Sequence, residues 1–189
     1  MLRLSLISLI LAFSASANAE DFDYDFLSVG YGSVDFDDLG VDGTVFSIGG
    51  SYAITDAYYA FFDYNAANLD AGVDTTTWGA GFGYHRSMSD KVDLVASLSY
   101  QYLEFDIPLT PSIDDSGLGL SVGFRIAQSD KLELNAGINY VDYGNGGDDT
   151  GFELRALYRI NDAYSVGLGG EWSDTISMYT LSGRFHFGR

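Results

Sequence analysis

A chain of 189 residues with no cysteine, two prolines, 23 glycines, 14 tyrosines and 13 phenylalanines is no disulfide scaffold; the composition suits many strands with tight bends and little helix. Twenty-seven acids against nine bases give a formal charge of −18, which opposes nucleic-acid binding because phosphate backbones are met by positive surfaces. One domain is the natural count for this length.

In chain order, Met1 to Ala19 carries one positive charge at Arg3, an apolar run from Leu4 to Phe13, and small residues ending in Ala17-Asn18-Ala19. That order is a secretory leader with an A-x-A cleavage site, too short to span a membrane. Residues 1–19 are therefore expected to be removed before Glu20, leaving 20–189 as one barrel domain. Beyond Glu20 no apolar stretch approaches the ~20 residues of a membrane helix.

Four compact connections follow: Ile54-Thr55-Asp56-Ala57-Tyr58, Met88-Ser89-Asp90-Lys91-Val92, Gln128-Ser129-Asp130-Lys131-Leu132 and Ile160-Asn161-Asp162-Ala163-Tyr164. Each is polar and centred on an Asp, as suits a tight antiparallel turn. Five other connections, mostly longer and richer in Gly and Asp, lie near 35–43, 65–75, 104–116, 142–151 and 173–175. Turns and connections alternate, which predicts ten strands, with eight as the alternative, on a hairpin period of about 30 to 35 residues.

Bulky apolar residues alternate with small or charged ones along these strands, most cleanly in Trp78-Gly79-Ala80-Gly81-Phe82-Gly83-Tyr84. A period of two marks a strand between two unlike environments. One face carries Leu27, Val29, Tyr31, Phe46, Ile48, Phe62, Phe82, Leu98, Leu120, Ile138, Leu154, Leu168 and Leu181, and the other is small or polar. A small barrel has room inside for little more than its own side chains, so the bulky face belongs in lipid and the polar face lines the lumen. The expected fold is all-β, a closed antiparallel up-and-down transmembrane β-barrel. Tyr52, Tyr58, Tyr84, Tyr158, Tyr164 and Phe187 near the short turns, and Tyr31, Trp78, Tyr140, Phe152 and Trp172 towards the long connections, read as two interfacial girdles.

These features together resemble the small outer-membrane β-barrel proteins of Gram-negative bacteria. The last strand, with Tyr179, Leu181, Gly183, Phe185 and Phe187 at every second position, is similar to the C-terminal aromatic signal read by the barrel assembly machinery. More narrowly, Trp78-x-x-Gly81-x-Gly83-Tyr84-x-Arg86 followed by Ser89-x-Lys91-x-Asp93-Leu94 resembles the quorum-factor-like outer-membrane proteins. Those matches are strand and turn positions, so the resemblance implies architecture and an outer-membrane location, and it transfers no functional residue. In such barrels the short turns are periplasmic and the longer loops extracellular.

Charge is polarised along that axis. Without Arg3 the remaining chain has eight bases against 27 acids, a formal charge of −19. Asp35, Asp37, Asp38 and Asp42, then Asp70 and Asp74, Asp106, Asp114 and Asp115, and Asp148 and Asp149 crowd the long connections. These acids read as solvated loops that repel other surfaces; the alternative, since carboxylates are hard ligands, is that divalent cations bridge them to anionic lipopolysaccharide and outer-membrane lipid. No bound metal site or cofactor is expected, since the Asp spacing lacks the closing Glu of a calcium loop.

Inward charges of both signs must pair or meet water. Asp63, Asp93, Arg125, Glu133, Glu153, Arg155, Arg159, Glu171 and Arg184 fall on the lumen face and are expected to form a charge network that plugs the barrel. The function expected is then structural or surface-interacting, with a narrow channel for small solutes as the alternative. Barrel enzymes of the resembled class work at the outer leaflet with His beside an acid or Ser; His85 and His186 stand at the opposite end, so no enzymatic role is expected.

Overall fold

The computed structural model of the protein describes residues 22–36 and 40–188. The expected leader and its cleavage point, together with Asp37, Asp38 and Arg189, lie outside them. Ten strands follow one another: β1 (Phe26–Phe36), β2 (Val41–Ala53), β3 (Tyr58–Leu69), β4 (Asp74–Ser89), β5 (Val92–Asp106), β6 (Ile113–Ala127), β7 (Leu132–Asp142), β8 (Asp148–Arg159), β9 (Tyr164–Ser173) and β10 (Ile176–His186). Each pairs antiparallel with the next, and β10 returns to β1 from Phe26 opposite His186 to Phe36 opposite Ile176. Closure leaves no sheet edge with unpaired backbone groups.

The four short turns lie where expected. In each, the fastening side chain is the residue before the Asp: Thr55 Oγ1 accepts from the Tyr58 amide at 3.1 Å, Ser89 Oγ from Lys91 at 3.3 Å, Ser129 Oγ from Leu132 at 3.1 Å, and Asn161 Oδ1 from Tyr164 at 2.9 Å. Short hydroxyl and amide side chains mimic a backbone turn in this way.

At the opposite end the strands run further than the sequence suggests. Asp35, Asp42, Asp74, Asp106, Asp114, Asp142 and Asp148 belong to strands, not loops. Asp has a poor intrinsic strand preference, yet hairpin pairing continues through these residues and places acid opposite acid: Asp35 and Asp42, Asp74 and Asp106, Glu104 and Asp114, Asp142 and Asp148.

The outward face is apolar along the whole wall, with Leu27, Tyr31, Phe82, Leu98, Leu120, Ile138, Leu168 and Leu181 among its exposed residues. Ring pairs mark both ends, including Tyr58–Tyr84 at 5.4 Å and Phe152–Trp172 at 4.9 Å between centroids. The inward face corrects the sequence reading in one region. Towards the long connections, Val34, Phe36, Val45, Ala67 and Leu69 point inward and are buried together, with Phe105, Ile176 and Met178 packed against them. This apolar collar replaces the uniformly small or polar lumen that the alternation predicts. Phe36 of β1 meets Phe105 of β5 edge-on with ring centroids 5.9 Å apart, and apolar side chains that pack together gain by leaving water.

Candidate functional site

The short-turn end of the lumen holds the segment Phe22–Asp25, which leads into β1. Odd-numbered Leu27, Val29 and Tyr31 point outward, so even-numbered Tyr24 and Phe26 share the lumen side by strand parity. Tyr24 is buried. Its ring stacks on His85 at 3.9 Å and lies 4.9 Å from Tyr59, and its hydroxyl donates to Asp93 Oδ2 at 3.1 Å. Burial pushes the Tyr24 phenol far above its ordinary range, so it stays a donor.

Arg125 joins this segment to the wall. Its Nε and Nη2 donate to the two carboxylate oxygens of Glu133 at 2.9 and 3.0 Å, its Nη1 donates to the Asp23 carbonyl at 3.1 Å, and its guanidinium covers the Tyr24 ring at 4.4 Å. A two-pronged guanidinium–carboxylate pair is directional as well as strong. Asp93 is shared among Tyr24, Ser87 (2.7 Å) and His85 (3.3 Å).

His186 secures the other side. Its Nδ1 lies 2.9 Å from Asp23 Oδ2 and its Nε2 lies 3.0 Å from Ser165 Oγ. The order Ser, His, Asp has the spacing of a nucleophile, a base and its orienting acid. Ser165 is only 5% exposed, however, and does not line the lumen cavity. In this arrangement the trio fastens Asp23 to β9 and β10. Both histidines of the chain thus clamp one segment, each beside an aspartate.

Above this plug lies a cavity of about 510 Å³. Of the residues expected in the charge network, Asp63, Arg125, Glu153, Arg155, Glu171 and Arg184 line it, while Asp93, Glu133 and Arg159 do not. The network therefore divides. Arg125 with Glu133, and Asp93 with its three partners, belong to the plug. Glu171 accepts from Asn139 Nδ2 at 3.1 Å, and the Arg184 guanidinium lies 3.7 Å over the Phe26 ring. The Arg159 amide donates to the Lys131 carbonyl at 2.7 Å at the end of β8.

The inward glycines of β4 are occupied rather than empty. A Cβ at Gly83 would strike the Tyr59 ring, and one at Gly79 would lie 2.8 Å from Asp63 Oδ1. These glycines make room for plug and cavity-wall side chains. Sequence reasoning missed Asp23, Tyr24 and Tyr59, although the alternation Phe22, Tyr24, Phe26 continues the parity of β1. Among the described residues, no group of three His, Cys, Asp or Glu side chains is placed to hold a metal ion.

On β10 Tyr179, Leu181 and Phe185, and just beyond it Phe187, are exposed on the outer face, and the space beside Gly183 is open. They form an outward stripe on the strand that closes the barrel.

The sequence profile of the outer membrane protein β-barrel domain matches residues 5–169. No curated protein matches the chain. Among solved structures, an outer membrane channel from Pseudomonas putida aligns with a TM-score of 0.56 at 9% identity, covering 93% of this chain and 100% of its own. The NanC porin aligns at 0.55 with 8% identity, covering 85% and 100%. The translocator domain of the autotransporter NalP from Neisseria meningitidis aligns at 0.52 with 10% identity, covering 89% and 90%. At such identities the likeness is one of fold.

Proposed function

The chain belongs to the outer membrane protein β-barrel domain family, and from that premise we propose that it is a resident outer-membrane barrel with a closed lumen, serving a structural or surface-interaction role. The observation that carries this reading is the burial of Asp23 and Tyr24 in the periplasmic end of the lumen, held by Arg125, His85 and His186. The apolar collar narrows the lumen at the other end. In this reading residues 1–19 are removed before Glu20, β10 presents its outward aromatic stripe to the assembly machinery, and no reaction is catalysed.

Acidic outer hairpins supply the surface that meets lipopolysaccharide through divalent cations. Directly opposed like charges destabilise a strand pair, and four such acid pairs stand at this rim. Bridging cations relieve that repulsion and tie the rim to anionic lipid.

Refolded residues 20–189 in a planar bilayer test the closed lumen. No steady conductance is expected, and reproducible single-channel steps overturn the reading. The cavity of about 510 Å³ favours a second one, a narrow channel for small solutes. Replacing Arg155 separates the two, since a channel changes ion selectivity while a closed barrel stays silent.

A further inference from the structure

We propose that the lumen cavity is a binding site for a small zwitterionic solute, with Arg184 and Arg155 taking its anionic end and the Asp63 and Glu153 wall its ammonium end. Four buried side-chain atoms lack a hydrogen-bond partner among the described residues: Ser51 Oγ, Asn139 Oδ1, Asp149 Oδ1 and Arg184 Nε. All four residues line this one cavity. Buried polar atoms are ordinarily paired, so their concentration around a single space points to an occupant of that space.

The occupant's chemistry follows from which groups are unmet. Arg184 is 6% exposed, and its guanidinium is held flat over Phe26 at 3.7 Å, so its unpaired Nε–H calls for an acceptor. Arg155 lines the same cavity, and Gly169 on the neighbouring strand leaves the room that its Nε occupies, since a Cβ there would lie 3.2 Å away. No ion pair to Arg155 or Arg184 is formed among the described residues. Neither guanidinium has a carboxylate within ion-pair distance among the described residues, so an anion entering this cavity gains a direct partner from each.

The acidic side also lacks a cation at ion-pair distance among the described residues. Glu153 stands directly across from Glu171 on β9, and Asp63 lines the same cavity. Asn139 gives Glu171 a hydrogen bond but no charge. The unpaired oxygens of Asn139 and Asp149 call for donors. Water satisfies stray polar atoms, and Arg155 acts on Glu171 only at longer range, so an ammonium in direct contact adds a partner that neither supplies. Glu153 and Arg155 are two residues apart on one face of β8, so walls of opposite sign adjoin. A solute carrying both a carboxylate and an ammonium meets both walls at once, and the cavity is within the size range of small-molecule sites.

The cavity lining extends to Tyr143 and Asp149 at the extracellular end, so solute arrives from outside and the inference needs no conduction. The test is a thermal and calorimetric titration of refolded residues 20–189 in detergent. The probes are ω-amino acids from β-alanine to 6-aminohexanoate, beside unbranched carboxylates and amines of equal length. At tenfold excess over Kd one ω-amino acid is expected to raise Tm by about 3 °C, with the matched carboxylate and amine well below it. Arg184→Gln and Glu153→Gln each should weaken binding about tenfold or more, with heat-modifiable gel migration showing that each variant is folded. Loss of one facing glutamate relieves repulsion, so Glu153→Gln is expected to fold. Equal stabilisation by the simple carboxylate, or unchanged binding in Glu153→Gln, overturns the zwitterion. No shift with any probe means the cavity holds water alone and ends the proposal. Single-channel steps would overturn the closed-lumen reading while leaving this titration intact.

Discussion

The two ends of the lumen are lined by opposite chemistry. At the short-turn end a chain segment is held by one bidentate ion pair, two histidine–aspartate contacts and stacked rings. At the long-connection end five apolar side chains are buried against one another with no charge among them. Buried ionic closure is directional and fails sharply when one partner goes, because the other is left uncompensated. Apolar closure degrades in proportion to the volume removed. The same barrel therefore carries a latch at one end and packing at the other.

Breaking the latch should have the largest effect. Arg125→Ala leaves the Glu133 carboxylate without its partner and is expected to cost about 3–5 kcal/mol, read from urea unfolding of the refolded barrel. Replacing both partners, Arg125→Met with Glu133→Leu, should recover most of that loss, since a well-packed apolar pair avoids the desolvation that an ion pair carries. A double variant as unstable as Arg125→Ala would show that the hydrogen bond to the Asp23 carbonyl, not the pair with Glu133, holds the segment.

Packing at the collar should respond less and differently. Leu69→Ala is expected to cost about 2 kcal/mol, near the lower end for buried leucines because the collar borders an open cavity. That loss should be the same at low and high salt, whereas repulsion among the charged groups is screened. A salt-dependent loss at Leu69 would mean that the outer acids, rather than the collar, set stability at that end.

The contrast also explains what the sequence could disclose. Strand number, closure and the outward face were legible because lipid enforces a strict period of two on one side of the wall, and Trp78 to Tyr84 shows that period without interruption. The lumen side obeys no such rule. Polar residues there were visible as a set, but which of them pair depends on distances around the barrel: Arg125 reaches Glu133 on the neighbouring strand, while Arg184 reaches the Phe26 ring. The collar was hidden because Val34, Phe36 and Val45 read as ordinary strand residues beside acid-rich connections. Tyr24 and Asp23 were hidden because they precede the first recognisable strand, although their parity continues it.

The acid pairs at the outer rim give the smallest and most selective prediction. Asp142 and Asp148 face each other across β7 and β8, both exposed to solvent. Like charges so placed cost a few tenths of a kcal/mol, up to about 1. Asp142→Asn should therefore stabilise the barrel slightly in chelator, where no divalent ion offsets the repulsion. Adding Ca²⁺ at constant ionic strength should raise the Tm of the parent protein by about a degree or two and that of the variant by less. The difference between those two rises isolates cation bridging from general screening, because screening acts on the remaining acids of both proteins alike. Equal rises in the two proteins would leave the rim acids a screened surface and overturn cation bridging at this end.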